Sequence, residues 1–409
     1  MKFSSLHLHF SLPNKHNPRY LKKYFPLFVV LFVPKSRKTQ MNIVHITTVH
    51  QRFDSRIFYK ECLSLSLHHK VTLIVADGRG DQVSNSVRII DIGSYSSRLK
   101  RLLFAPLKAI RIAKQLNADI YHFHDPELLI AVRRLAHSHK VIFDSHEDFP
   151  KLMLQRPYIP TPLRRLFFSL AKHIEKKTTR SLFAVVTATD NINQKFLSYH
   201  TLPASHIVTV KNYPILPPSS PATPPTHVPH TPFTACYVGG LTKIRGVKEM
   251  ILACEKANVK LLLAGPFDDP LYLQEMQSLS GWKNVEYLGV VPHKDLFEKV
   301  YSRSDVGLNL LLAAPNHIDA IPIKQLEYMS AALPVLSTQY IRFCVEITNQ
   351  THCGILVRPE DTDQCSQALL ELQASPTLLQ TLSSNAYQAF RTTYNWDKEK
   401  DALLTLYSL

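Results

Sequence analysis

Between Asn212 and Pro232 the chain carries eight prolines, at positions 214, 217, 218, 221, 224, 225, 229 and 232. Proline fixes its own φ and has no backbone N–H, so a stretch this rich fits neither a helix interior nor a central strand. It is expected to form a stiff, extended linker, with one core before it and another after it. Apolar runs suited to buried strands alternate with helical stretches on both sides. They lie at 42–48, 70–76, 87–92, 119–124, 140–145 and 184–189 before it, and at 233–238, 259–264, 285–290, 306–312, 334–337 and 354–357 after it. That alternation predicts parallel sheets covered on both faces. At 409 residues, 45% of them apolar, the chain has material for two such domains.

In the second half, Asp319 to Val335 reads Asp-Ala-Ile-Pro-Ile-Lys-Gln-Leu-Glu-Tyr-Met-Ser-Ala-Ala-Leu-Pro-Val. Pro322 suits the first turn of a helix, and Pro334 ends it and opens a short strand. Ile323, Leu326, Met329 and Leu333 recur at helical spacing and are expected to face a core. Lys324 and Glu327 then share one flank near the helix start. A carboxylate and an ammonium beside that partial positive charge suit an anionic ligand that also carries hydroxyls. Upstream, Tyr237-Val238-Gly239-Gly240 ends a strand and Arg245-Gly246 opens the next helix, a glycine-bearing turn that lets the backbone approach an anion.

The first half has its own polar clusters. Asp119-Ile-Tyr-His-Phe-His-Asp-Pro-Glu127 closes one strand and Phe143-Asp-Ser-His-Glu-Asp148 closes the next. Ligand sites of open parallel sheets lie at these C-terminal strand ends. Of the two histidines, His124 is expected to face the site and His122 to point into the sheet. Five polar groups crowded at 144–148 are costly unless they bind something or one another. The loop from His50 to Arg56 follows the first strand. Asp361-Thr362-Asp363 and Asp268-Asp269 read as a helix cap and a turn, and no metal cluster is recognised.

An acidic residue, seven residues, then Glu before Tyr-Met-Ser-Ala-Ala-Leu-Pro-Val resembles the Glu-x7-Glu signature of family 4 retaining glycosyltransferases. The resemblance covers essentially all of residues 41–409. It implies an α/β chain of the GT-B fold, two Rossmann-like domains facing each other across a cleft. An extension at 1–40, an acceptor domain at 41–211, the linker at 212–232, a nucleotide-sugar domain at 233–393 and a returning C-terminal helix at 394–409 follow from it. It assigns Glu327 to the ribose of a nucleoside diphosphate sugar and Asp319, one methylene shorter than the family's Glu, to the sugar. Arg245 and Lys324 fall to the diphosphate, with Gly239 and Gly240 beside it. Family members usually carry Arg where this chain has Gly240, and Lys243 is the substitute cation. His124 is placed beside the reacting sugar, and His50, Arg56, Asp125, His146 and Glu147 on the acceptor side. No metal or cofactor is implied. The activity implied is hexosyl transfer with retention to a glycan or lipid-linked acceptor, in cell-surface polysaccharide synthesis. A sugar-nucleotide epimerase of the same fold, or a catalytically silent nucleotide-sugar-binding subunit, stays open as an alternative.

Charge bears on partners. Residues 1–40 carry +8, residues 41–215 carry +12 and residues 216–409 carry −4, within a total of +16. The stretches from Arg98 to Lys114 and from Leu163 to Arg180 mix basic and large apolar residues, which suits peripheral contact with an anionic membrane on the cytoplasmic side. No nucleic-acid motif accompanies the charge. Six cysteines without metal or disulfide spacing read as reduced thiols in the cytoplasm. Residues 1–40 do not read as part of the fold. Met41 is the expected working start, with a weak membrane-surface anchor as the rival.

Overall fold

The computed structural model describes residues 40–156, 159–217, 220–314 and 317–409. The reading of the 1–40 extension therefore lies, but for Gln40, outside the described residues.

The apolar runs before the prolines build an eight-stranded sheet. Its strands are β1 (Asn42–Ile46), β2 (Lys70–Val75), β3 (Gln82–Ser84), β4 (Val87–Asp91), β5 (Ile120–Phe123), β6 (Lys140–Ser145), β7 (Ala184–Thr187) and β8 (Ile207–Thr209). Their order is β3-β4-β2-β1-β5-β6-β7-β8, parallel except where β3 pairs with β4. Beyond the linker a six-stranded parallel sheet holds β9 (Thr234–Val238), β10 (Lys260–Ala264), β11 (Val285–Tyr287), β12 (Val306–Asn309), β13 (Val335–Thr338) and β14 (Gly354–Val357), in the order β11-β10-β9-β12-β13-β14. In each sheet the connections reverse direction beside the first strand, between β1 and β5 and between β9 and β12. Such switch points open a crevice at the carboxyl ends of the strands.

Each sheet is buried on both faces. In the first, Val44, Ile46, Tyr121, Phe123 and Phe143 pack under the helices Arg98–Leu116 and Leu129–Ala136. The opposite face, with Ile43, Ile120 and Ile142, is covered by Ile57, Phe58 and Leu65 and by Trp396, Leu403, Leu406 and Tyr407. These last four belong to the helix Trp396–Tyr407, so the end of the chain completes the core of the first sheet. Trp396 Nε1 donates to Ser64 Oγ at 2.8 Å, and the Trp396 N–H donates to the Pro214 carbonyl at 2.8 Å.

The described residues of 212–232 form no helix or strand. They lie along the second half instead: Tyr387 donates to the Pro221 carbonyl at 2.7 Å, and Asp305 accepts from His227 and His230. The Asp361 carboxylate accepts from the Gln364 N–H at 2.9 Å and Asp269 from the Leu271 N–H at 2.9 Å, so one member of each acidic pair caps a helix, and Asp363 pairs with Lys256.

Candidate active site

Two neighbourhoods collect the residues singled out above, one at each switch point. In the second half, Pro322 is the cap rather than the first turn of the helix Ile323–Ser330. Leu326, Met329 and Leu333 are buried as the spacing predicts, whereas Ile323 is only half-buried. The Val238 N–H donates to the Tyr328 hydroxyl at 3.1 Å and fixes this helix against the end of β9. Beside it lies a cavity of about 270 Å³, lined by Val238, Gly239, Gly240, Ala264, Gly265, Pro266, Val290, Val291, His293, Leu296 and Lys324.

Glycine is required at two points here. At Gly265 (φ +147°) a Cβ would lie 1.8 Å from the Gly239 carbonyl oxygen, so the loops after β9 and β10 can touch only without side chains. At Gly246 (φ +75°) a Cβ would meet the Leu310 carbonyl oxygen at 2.0 Å, and the turn that starts the helix Val247–Lys256 depends on its absence. Gly240, by contrast, has nothing within 4 Å of where a Cβ would stand.

Glu327 is 8% exposed. It accepts from Lys324 Nζ at 2.6 Å and from the Tyr301 hydroxyl at 2.8 Å, and its other oxygen is 3.7 Å from His293 Nε2. Burial pushes its pKa up, but His293, the Lys324 ammonium and Tyr301 outweigh that and hold it down to about 2. The pocket flank is therefore a charged carboxylate with an ammonium bonded to it. Arg245 is exposed at the mouth of the glycine turn. Asp319 is 44% exposed and sits 3.3 Å from Arg342, outside the cavity lining. Lys243, the substitute cation, lies 3.6 Å from Glu275.

The first-half cluster is built differently. Asp125 is 1% exposed and accepts from the N–H groups of Thr48 (2.5 Å) and Val49 (3.2 Å), from the hydroxyls of Thr47 and Thr48 and from His50 Nδ1 (2.9 Å). It anchors the loop after β1 and is turned away from solvent. Arg56 is equally buried. Its Nε and Nη2 each donate to Asp144 at 2.8 Å, and its Nη1 donates to the Val210 carbonyl at 2.7 Å. Against burial, Arg56 and His146 hold the Asp144 carboxyl well below its ordinary range. His50 and His146 are partly exposed at 29% and 19%, and Glu147 is exposed.

His122 and His124 do not point apart. Residues two apart on a strand share a face. Their ring centroids are 4.8 Å apart on the side covered by the C-terminal helix, and both are buried. His124 thus lies beneath His146, whose Nε2 is 3.3 Å from its Nδ1. Burial lowers the pKa of both, that of His124 to about 4, which leaves them neutral.

Sequence reasoning missed His45, Lys60, Glu61, His293 and Tyr301. His45 interrupts an otherwise apolar strand, and Lys60-Glu61 interrupts the apolar run Ile57–Cys62, which winds as a π-helix. Charged side chains inside apolar segments are the signal that was available, and π-helical turns are frequent at functional sites. Lys60 donates to the side chain and carbonyl of Asn212. Burial and the neighbouring Arg56 pull its pKa down to about 7, while Glu327 pulls the other way from the second half of the chain.

Comparison with known proteins covers the same two halves. The model of "Glycosyltransferase Family 4" matches residues 65–213 and that of "Glycosyl transferases group 1" matches residues 223–389. An uncharacterized glycosyltransferase of Methanocaldococcus jannaschii is 26% identical over 178 residues, 42% of this chain, and the chain spans 44% of the length of that relative. Among solved structures, a sucrose-phosphate synthase from Thermosynechococcus elongatus superposes with a TM-score of 0.65 at 16% identity, covering 90% of this chain and 98% of that one. HepE from Anabaena, in complex with UDP-glucose, gives 0.63 at 14% identity, covering 90% and 100%. A UDP-forming trehalose-phosphate synthase from Burkholderia xenovorans gives 0.62 at 14% identity, covering 89% and 98%. With both halves matched and both sheets in place, the chain belongs to the family 4, group 1 glycosyltransferases and has their GT-B fold.

Proposed function

We propose that this protein moves a sugar, with retention of configuration, from a nucleoside diphosphate to a glycan or lipid-linked acceptor in cell-surface polysaccharide synthesis. The observation that carries the reading is Glu327, a buried carboxylate held ionised on the flank of a glycine-floored cavity with Lys324 bonded to it. An ionised carboxylate there accepts the two ribose hydroxyls. The ammonium turns to the diphosphate, and the Gly239 and Gly240 backbone makes room for it. Arg245 supplies the second cation. Asp319 leaves Arg342 to meet a sugar hydroxyl.

In the transfer the bond from the anomeric carbon to the diphosphate oxygen breaks as the acceptor oxygen attacks from the same face. The acceptor proton passes to the departing diphosphate, whose charge Arg245 and Lys324 stabilise. No metal takes part in this reading. On the acceptor side His50, His146 and Glu147 reach the surface, and Arg56, Asp125 and His124 position them from beneath.

Peripheral membrane contact is supported by what the basic helices leave uncovered. Leu99, Leu103 and Phe104 are 65%, 55% and 58% exposed on Arg98–Leu116, and Leu166 and Leu170 are 62% and 50% exposed on Arg164–Thr179. No helix among the described residues is long and apolar enough to cross a membrane. A surface location on the cytoplasmic leaflet suits a lipid-linked acceptor.

Calorimetric titration tests the donor site, with UDP-glucose as the first donor because HepE is solved with it. Removing the Glu327 charge is worth about 1.5–3 kcal/mol of hydrogen bonding, so Glu327→Gln should weaken donor binding by about one to two decades. Glu298, exposed on Leu296–Lys299, is the control, and Glu298→Gln should bind like the wild type. Equal affinity in all three proteins, across a panel of sugar nucleotides, would remove the donor from this cavity.

A further inference from the structure

The histidines beneath the acceptor-side surface do more than fill space. His45 of β1 and His122 of β5 are register partners in the parallel pair, and His124 lies two residues further on the same face. Their ring centroids form a nearly equilateral triangle with sides of 4.7, 4.8 and 5.2 Å. The outer nitrogen of each ring already has a partner. His122 Nδ1 is 2.7 Å from the Tyr407 hydroxyl, His45 Nε2 is 3.4 Å from the same hydroxyl, and His124 Nδ1 is 3.3 Å from Asp144 Oδ2. In the tautomers that direct each ring proton to Tyr407 or Asp144, the inner nitrogens are free to ligate a cation. Without an ion, His45 Nδ1 and His124 Nε2 share a hydrogen bond at 2.9 Å, and His122 Nε2 is buried without a hydrogen-bond partner.

Glu61 closes the fourth side. It is 0% exposed, neither carboxylate oxygen has a hydrogen-bond partner, and Oε2 is 4.0 Å from His45 Nδ1. Arg56 Nε lies 3.0 Å from the other oxygen, but that guanidinium is already twice bonded to Asp144 and balanced by it. A buried imidazole nitrogen and a buried carboxyl group that both lack hydrogen-bond partners are what a bound cation relieves.

We propose that His45, His122, His124 and Glu61 form a closed, four-coordinate site for a divalent transition metal, zinc being the ion this donor set favours. Imidazole nitrogens and a carboxylate at about 2.0–2.2 Å are ordinary zinc ligands. The four ligand atoms lie within 4.8 Å of one another, so a short inward movement of Glu61 and His122 completes the shell. The outer hydrogen bonds to Tyr407 and Asp144 are of the kind that fix the tautomer and orientation of metal-bound histidine. Buried on every side, the ion has no open position for substrate. It is structural, tying β1, β5 and the Ile57–Cys62 turn together and reaching the C-terminal helix through Tyr407. A second grouping, His124, Asp144 and His146, shares one histidine, but Asp144 is already saturated by Arg56.

The test uses the full chain purified without an affinity tag. Elemental analysis should find close to one zinc per chain. After chelation, cobalt(II) should restore one equivalent with the intense visible absorption of a four-coordinate centre. His122→Ala should lower zinc affinity at least about a hundredfold, while His146→Ala should change it by less than about threefold. If His122→Ala does not fold, the wild-type cobalt spectrum decides alone. A weak six-coordinate spectrum, or no uptake of either metal, overturns the proposal. So does loss of binding in His146→Ala with binding kept in His122→Ala. None of these outcomes bears on donor binding, so this site and the sugar-transfer reading stand or fall separately.

Discussion

The two switch points of this protein solve opposite problems. At the second sheet the strand ends are bare: glycines floor the cavity, and Glu327 and Lys324 satisfy each other on its flank while remaining at the cavity edge. At the first sheet the strand ends are crowded: Arg56, Asp144 and His124 are buried and engaged with one another, and Asp125 is buried among Thr47, Thr48 and His50. One half withholds side chains so that a ligand can supply the polar partners. The other supplies those partners itself and leaves His50, His146 and Glu147 at the surface. Substitutions in the first cluster should therefore act mainly on stability, and those in the second on binding.

The sharpest break in that comparison is Asp144→Ala. It leaves the buried Arg56 charge without its two-bonded partner, and losing one member of a buried pair costs about 3–5 kcal/mol. Denaturant melts should show a drop of that size. A loss under about 1 kcal/mol would mean that water or another group takes over the guanidinium.

Glu327 is the case where the two halves converge, because its site is both packed and functional. Its folded pKa of about 2 lies below the ordinary 4.5, so the ionised form is favoured in the folded state. The stability this contributes is fully present above pH 4.5 and is lost as the pH falls through about 2. The shift corresponds to about 3 kcal/mol. Melting of the wild type and Glu327→Gln should differ by that order at pH 7 and converge toward pH 2. A pH-independent gap would point to shape rather than charge.

Lys324→Ala should leave stability within about 1 kcal/mol, since the side chain is partly exposed, yet weaken donor binding by about 1.5–3 kcal/mol. The smallest expected effect is a gain. The open space at Gly240 admits a side chain, so Gly240→Arg should fold like the wild type and tighten donor binding by up to about tenfold through an added cation. A thermal shift and a titration of the same sample measure both.

The sequence made the sheets legible because buried parallel strands are continuous apolar runs bounded by breakers. Twelve of the strands lie where those runs are. The two that escaped, Gln82–Ser84 and Ile207–Thr209, are three residues long and sit at the edges, where little apolar surface is needed. Lys324, Glu327 and the glycine turn were readable because they are local, set by spacing on one helix and one loop. The histidine cluster was not, because it is made by register between β1 and β5. No local pattern sets His45 opposite His122, and the side assigned to His122 failed against the two-residue repeat of a strand. His293 and Tyr301 reach Glu327 from separate segments, which no spacing in the sequence announces.

The helix Trp396–Tyr407 covers a face of the sheet whose last strand ends at Thr209. At about 5–20 residues per second, a ribosome takes roughly 10–40 s to make the chain in between. During that interval the part of one apolar face that Trp396, Leu403, Leu406 and Tyr407 cover stays open. The second half can close its own core in the meantime. The half made first is thus sealed by a segment made only after the second half.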